Sequence, residues 1–232
     1  MPIALEAKRP ASFFTGGACR GMGRLAGAAI LGAMSQAAHT LLTPEEYLAI
    51  ERLADTKSEY HGGEVFAMAG GTAPHAELAG TFIRELGARS KGGPCRIYTA
   101  DMRIGVAGEG DFVYPDVSGL CIEPRFRDDS RDVLLNPTFV VEVLSPSTEA
   151  YDRGRKLAIY MAVPSIVEIV LVSQDQVRVD KYTRQPDGIW RFDVIEGREA
   201  RVRFESIGCE IVLADFFDGV ELAPLPPLRE RS

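Results

Sequence analysis

Apolar and polar positions along the chain predict an alternation of helices and strands. Thr43 suits an N-cap, Pro44 the first helical position and Glu46 the closing side of a capping box, with Tyr47, Leu48, Ile50 and Leu53 at apolar helical positions after them. The Gly62-Gly63 turn leads into a strand over 64–69, which Gly70-Gly71 terminates. A second helix is expected over about 74–89, because Leu78, Phe82 and Leu86 recur four apart, and Gly92-Gly93-Pro94 breaks it. Two extended runs, 95–106 and 112–121, flank a turn at 105–110 and read as an antiparallel pair. The charged stretch 123–136 reads as an exposed loop. Thr138–Leu144 is too apolar for a surface strand and is expected at the centre of a sheet. A helix over about 150–163, stopped by Pro164, precedes strands near 166–172, 176–182 and 190–195. The order, with no internal repeat, predicts a mixed α/β domain.

The 232 residues are enough for one large core. With 46% apolar and 25% charged residues, and a mean hydropathy of -0.02, fibrous, disordered and membrane-embedded classes are excluded. A net charge of -7 disfavours a protein that holds nucleic acid by bulk charge, though not one with a local basic groove. Cys19, Cys95, Cys121 and Cys209 show no zinc spacing and read as small buried apolar residues in a reducing compartment, the cytoplasm. Residues 1–33 differ from the rest: Lys8, Arg9, Arg20 and Arg24 face only Glu6, and Gly and Ala are abundant. That stretch reads either as a secretory leader or as a tail without structure. The expected division is a disordered or non-native extension over 1–38, one domain over 39–223 and a flexible tail over 224–232.

Candidate chemistry lies in carboxylates stranded inside apolar strand patterns, since a buried ionised carboxylate must be compensated. Asp116 in Val113-Tyr-Pro-Asp-Val-Ser-Gly119 and Glu142 in Phe139-Val-Val-Glu-Val-Leu144 stand out. On neighbouring strands they would converge on one hard divalent ion; otherwise each caps a helix or pairs with an arginine. On the following helix Asp152, Lys156 and Tyr160 share a face, so Lys156 either points back at the strand ends or forms a solvated pair with Asp152. His75 reads as a cap or solvent contact ahead of a supporting role at the site, Asp101 as the partner of Arg103 or another base ahead of a ligand for a second ion, Asp128–Asp132 as a solvated loop, and Trp190 and Phe192 as packing residues.

Pro115-Asp116 followed by Glu142-Val143-Leu144 resembles the PD-(D/E)xK nuclease signature, except that Leu144 stands where the lysine is expected. The stretches Ser58-Glu59-Tyr-His-Gly-Gly-Glu64, Pro115-Asp-Val-Ser118, Val141-Glu-Val-Leu-Ser-Pro-Ser-Thr148 and Asp152-Arg-Gly-Arg-Lys156 with Tyr160 more closely resemble the bacterial Uma-two family of restriction-endonuclease-like proteins. The resemblance spans about Leu42 to Leu222. It implies an α/β restriction-endonuclease-like core, a mixed central sheet flanked by helices, with the lysine role moved from position 144 to Lys156. It further implies Asp116, Glu142 and the carbonyl of Val143 as ligands of Mg²⁺, for which Mn²⁺ substitutes. Lys156 would be the catalytic lysine and Glu59 an additional acidic residue. The implied function is metal-dependent hydrolysis of DNA phosphodiester bonds without a covalent enzyme intermediate. The competing expectation is a nuclease fold that has lost efficient chemistry and serves as a nucleic-acid-binding or interaction module. Cutting both strands of a duplex is simplest with two sites about a two-fold axis, so a homodimer is expected, and no membrane partner.

Overall fold

The computed structural model describes residues 41–68, 70–106 and 110–222, which belong to one compact unit. The expectations for 1–38 and 224–232 lie outside the described residues.

Helix α1 (Pro44–Glu51) starts on the anticipated capping box: Thr43 Oγ1 accepts from the Glu46 N–H and Glu46 Oε2 accepts from the Thr43 N–H. Strands β1 (Ser58–His61) and β2 (Glu64–Ala67) form a hairpin closed by Gly62 and Gly63, whose φ values of 55° and 99° are the left-handed pair that a two-residue primed turn requires. The first of these strands is absent from the hydropathy pattern, because Ser-Glu-Tyr-His does not alternate. Helix α2 (Ala73–Ser90) follows an N-cap at Thr72.

The two predicted extended runs are each broken in the middle. The first becomes β3 (Arg96–Thr99) and β4 (Arg103–Gly105), and the second β5 (Phe112–Val113) and β6 (Val117–Leu120). They remain antiparallel partners, β3 with β6 and β4 with β5, but the two halves enter different sheets. Pro115 lies in the break of the second run, where its missing N–H interrupts no ladder. The loop expected over 123–136 also carries a strand, β7 (Val133–Leu134), parallel to β4. Both its side chains are fully buried, which draws this charged stretch onto the sheet.

Beyond it come β8 (Phe139–Val143), helix α3 (Glu149–Tyr151), a π-helical turn over Asp152–Lys156 and helix α4 (Leu157–Ala162). Strands β9 (Glu168–Val172), β10 (Arg178–Arg184) and β11 (Trp190–Glu196) follow. The C-terminal part, to which the sequence pattern assigned no element, forms β12 (Arg201–Phe204), β13 (Cys209–Val212) and α5 (Leu213–Phe216). One sheet runs β2-β1-β5-β4-β7, a second β11-β10-β9-β8-β6-β3, and β12 pairs with β13. β8 and β9 are parallel in the middle of the second sheet and buried along their whole length.

The two faces of β8 define the packing. Phe139, Val141 and Val143 face α2, where Leu78, Phe82 and Leu86 are fully buried alongside Phe204 and Phe216. Burying each of these large side chains contributes about 2 kcal/mol, far more than helix propensity supplies. Val140 and Leu144 face the opposite side, against Leu157, Ile159 and Tyr160 of α4. The fold is therefore a mixed sheet flanked by helices, as expected. Leu144 belongs to this second core, so the position of the usual nuclease lysine is filled by packing.

The cysteine expectation is corrected. Cys95 and Cys121 are joined as a disulfide, while Cys209 is free and half-buried. The cause is register: Arg96 pairs with Leu120 across β3 and β6, so the flanking residues Cys95 and Cys121 fall opposite each other.

Candidate active site

Glu142 is the one polar side chain on the α4-facing side of β8, between Val140 and Leu144, and it is only 3% exposed. The helix facing it supplies the compensation. Over Asp152–Lys156 the turn widens to the π pattern, a feature frequent at functional sites, and Asp152, Lys156 and Tyr160 all turn inward and are buried. Lys156 Nζ lies 2.8 Å from Glu142 Oε1 and 3.2 Å from Glu59 Oε1, and it donates to the Tyr114 carbonyl at 2.9 Å. The solvated pair with Asp152 is thus not what forms. Tyr160 donates its hydroxyl hydrogen to Glu142 Oε1.

Glu59 comes from β1, in the other sheet. Its Oε1 accepts the Tyr114 N–H at 2.9 Å and its Oε2 the Tyr151 hydroxyl at 2.8 Å, while the fully buried His61 touches Tyr151 through Nε2. Asp116 sits just beyond the break between β5 and β6, and its Oδ2 accepts the Val143 N–H at 2.7 Å. That bond ties the end of β8 to the start of β6. The same oxygen lies 3.2 Å from His75 Nε2. His75 is therefore not a solvent contact. Thr72 caps α2 through the His75 N–H, and that first turn aims the imidazole at Asp116. The bond to Asp116 raises the His75 pKa above its ordinary value, against the effect of burial.

Glu59, Asp116, Glu142 and Lys156, the four side chains predicted for the site, are brought together with Asp152, and Val143, the fifth predicted residue, meets Asp116 through its N–H. The signals that point to Tyr151, His61 and the Tyr114 carbonyl are absent from the linear pattern, since each acts through another side chain. Tyr160 is visible as the residue one turn beyond Lys156. Asp101 pairs with Lys57 at 2.5 Å, and Asp128 and Asp132 hold Arg52, all away from these carboxylates.

Glu142, Glu59 and Asp152 thus crowd one ammonium, with Asp116 beside Glu142 and facing His75. Burial works against the charge on Lys156, but Glu142, Glu59 and Asp152 outweigh it and raise its pKa, so it stays protonated. Burial, aided by the charges of Asp116 and Asp152, pushes the Glu142 carboxyl well above the ordinary carboxylate range, against the pull of Lys156. Asp152 is likewise raised, burial being the main cause. The site is short of positive charge. Burial also works to raise Glu59, yet His61, the Lys156 charge, the Tyr114 N–H and the Tyr151 hydroxyl hold it at about 2, against 4.5 ordinarily.

A depressed carboxyl contributes stability that is present above pH 4.5 and is lost as the pH falls through 2. Urea unfolding of wild type should therefore lose about 2 kcal/mol more between pH 7 and pH 3 than that of Glu59→Gln. Equal losses in the two proteins would remove the ionised Glu59 from the balance.

Among the described residues no three His, Cys, Asp or Glu side chains converge as a ready ligand set. The donor chemistry nevertheless suits a hard cation. The contacts named above fall on Asp116 Oδ2 and Glu142 Oε1, leaving Asp116 Oδ1 and Glu142 Oε2 without a donor among the described residues. Mg²⁺ characteristically takes one or two carboxylates and keeps several waters.

Residues 44–214 match the model of the Uma2 family, described as "Putative restriction endonuclease", and the chain belongs to that family. Two proteins of Synechocystis sp. (strain ATCC 27184 / PCC 6803 / Kazusa), each described as uncharacterized, are similar in sequence. One, slr1290, is 36% identical over 179 residues, which is 77% of this chain and 93% of the relative; the other, sll1609, is 34% identical over 164 residues, 71% and 93% respectively. A crystal structure of "a putative nuclease belonging to DUF820" from Anabaena variabilis ATCC 29413 shares the fold with a TM-score of 0.63 at 19% identity, covering 76% of this chain and 97% of that one.

Proposed function

We propose that the protein is a metal-dependent nuclease that hydrolyses DNA phosphodiester bonds. The observation that supports this most is the crowding of carboxyl groups, Glu142, Glu59 and Asp152 about Lys156 and Asp116 beside Glu142, with one oxygen of Asp116 and one of Glu142 left over. Asp116, Glu142 and the carbonyl of Val143 are the groups that would hold Mg²⁺, or Mn²⁺ in its place. When bound, the ion supplies polarisation of the phosphodiester and promotes ionisation of the attacking water. Lys156 offsets the negative charge that grows on the phosphate. Nζ donates to the Tyr114 carbonyl and lies within ion-pair distance of Glu142 and Glu59, and the longer of those pairs, 3.2 Å to Glu59, is the one a phosphate oxygen displaces most easily. Glu59 then positions the lysine from behind, with Tyr151 and His61 holding Glu59.

Supercoiled plasmid, linear duplex and single-stranded DNA incubated with the folded protein and Mg²⁺ or Mn²⁺ test the proposal, with Glu142→Ala as the control. Cleavage lost in the control is the expected result. No cleavage by wild type under any of these conditions, together with no Mn²⁺ binding by calorimetry, would favour the retired nuclease fold acting as a binding module. Two features favour that reading: Leu144 in the core, and a Lys156 already paired with Glu142 and Glu59. The proposed working unit is a homodimer acting in the cytoplasm, where DNA is at hand; light scattering beside the assay reads the assembly. The Cys95–Cys121 bond is the feature that pulls against a reducing compartment. Among the described residues no helix is long and apolar enough to cross a membrane.

A further inference from the structure

Across the β1–β2 hairpin Phe66 is the register partner of Glu59. Directly opposed residues share a face of the ribbon, with their Cβ atoms about 5 Å apart. Glu59 is 5% exposed and Phe66 is 40% exposed, so this face runs from a buried carboxylate to an open aromatic ring. The His61 ring, on the same face, lies 5.4 Å from that of Phe66. The Arg155 guanidinium lies 5.7 Å from the Phe66 ring centroid. Arg155 is exposed and immediately precedes Lys156 in the π-helical turn. Its neighbour Arg153 is held by Glu149 and Asp180, whereas Arg155 has no carboxylate within ion-pair distance among the described residues.

A large ring left open on an outer strand is a poor device for stability, since its apolar face stays in water and the strand edge invites pairing. With a net charge of -7 on the chain, attraction for a phosphate backbone must come from local cations such as Arg155. We propose that Phe66 and Arg155 form a stacking platform for an unpaired nucleobase next to the phosphodiester held at Lys156, so that the site takes single-stranded DNA in preference to duplex. This rests on the nuclease reading above. The flat ring accepts any base, because every base has a π-face, and the planar guanidinium extends the surface while meeting a phosphate or a base edge. A base in a duplex is already stacked on its neighbours and must be extruded before it can use the platform.

Binding of a short fluorescein-labelled strand, alone or annealed to its complement, is read by fluorescence anisotropy with EDTA present, so that no cleavage intervenes. Phe66→Ala should weaken single-strand binding about tenfold and duplex binding less than twofold, with Phe66→Trp restoring it. Arg155→Ala should weaken it severalfold and lower the salt dependence by about one phosphate contact. Phe66→Leu keeps the apolar bulk without the ring, so it should behave as Phe66→Ala with an unchanged melting temperature. Single-strand binding by folded Phe66→Ala and Phe66→Leu equal to wild type overturns the platform, as does an equal loss for both DNA forms. If wild type binds and cleaves DNA while these variants are unaffected, only the platform falls. Wild type that neither binds DNA nor cleaves it with Mg²⁺ or Mn²⁺ overturns the platform and the nuclease reading together, leaving the open ring as a protein contact.

Discussion

Lys156→Ala is expected to lower folding stability by about 3 kcal/mol and, in the nuclease assay, to slow cleavage about a hundredfold. Both effects follow from its burial. Lys156 is only 5% exposed, and it contacts two carboxylates that are themselves nearly closed off from solvent. Removing the ammonium leaves Glu59 and Glu142 facing each other with no cation between them, which is far worse than the loss of a surface pair. A surface i,i+4 partner of Asp152 would cost a few tenths of a kcal/mol and nothing in rate. Lys156→Arg should recover little, because the planar guanidinium cannot take the place of a compact ammonium that bonds in three directions. The double variant Glu59→Gln with Lys156→Met should regain much of the stability and none of the rate. Urea unfolding curves and single-turnover rates at saturating Mg²⁺ read the two effects separately. A folded Lys156→Ala with wild-type rate would end its catalytic assignment, and one with wild-type stability would end its role as counter-charge.

The reason so much of this centre was legible in the sequence is that β8 is a central strand. Five apolar residues around one glutamate admit few placements, so Glu142 announces itself, while a partner on the next helix was one of two readings of Lys156. Position 156, four residues from both 152 and 160, gave the face, although not the π-helical widening that turns it inward. Asp116 was legible for a similar reason, an acid just after a proline inside a strand run. What the linear pattern hid was the break at that proline, which sends β5 and β6 into different sheets and so lets Asp116 face Val143 rather than solvent. His75 was misread because a residue in the first turn of a helix usually looks outward. Here the cap at Thr72 and the packing of Leu78 and Phe82 fix the rotation of α2. Cys95 and Cys121 were misread because their pairing depends on the exact register of two broken strands, and β12, β13 and α5 were missed because each is only four residues long, too short for a strand or helix period to show.

Asp116→Asn separates the metal role of this residue from its structural one. The side chain does two jobs at different oxygens: Oδ2 accepts the Val143 N–H and faces His75, while Oδ1 is the oxygen left for a cation. An asparagine carbonyl can still accept from Val143, so the tie between β8 and β6 persists and stability should change by about 1 kcal/mol or less. The negative charge is gone. A hard divalent ion held by two carboxylates and waters then keeps only one anionic ligand, and Mn²⁺ affinity should fall about a hundredfold, with cleavage falling by about three orders of magnitude at fixed Mg²⁺. Calorimetric titration with Mn²⁺, beside a melting curve of the same sample, measures this without reference to activity. Asp116→Ala loses the tie as well as the charge and should melt lower than Asp116→Asn while binding Mn²⁺ no better. Undiminished Mn²⁺ binding by a folded Asp116→Asn would move the cation away from Asp116. The bond to Val143 would then be the whole of what that carboxylate does.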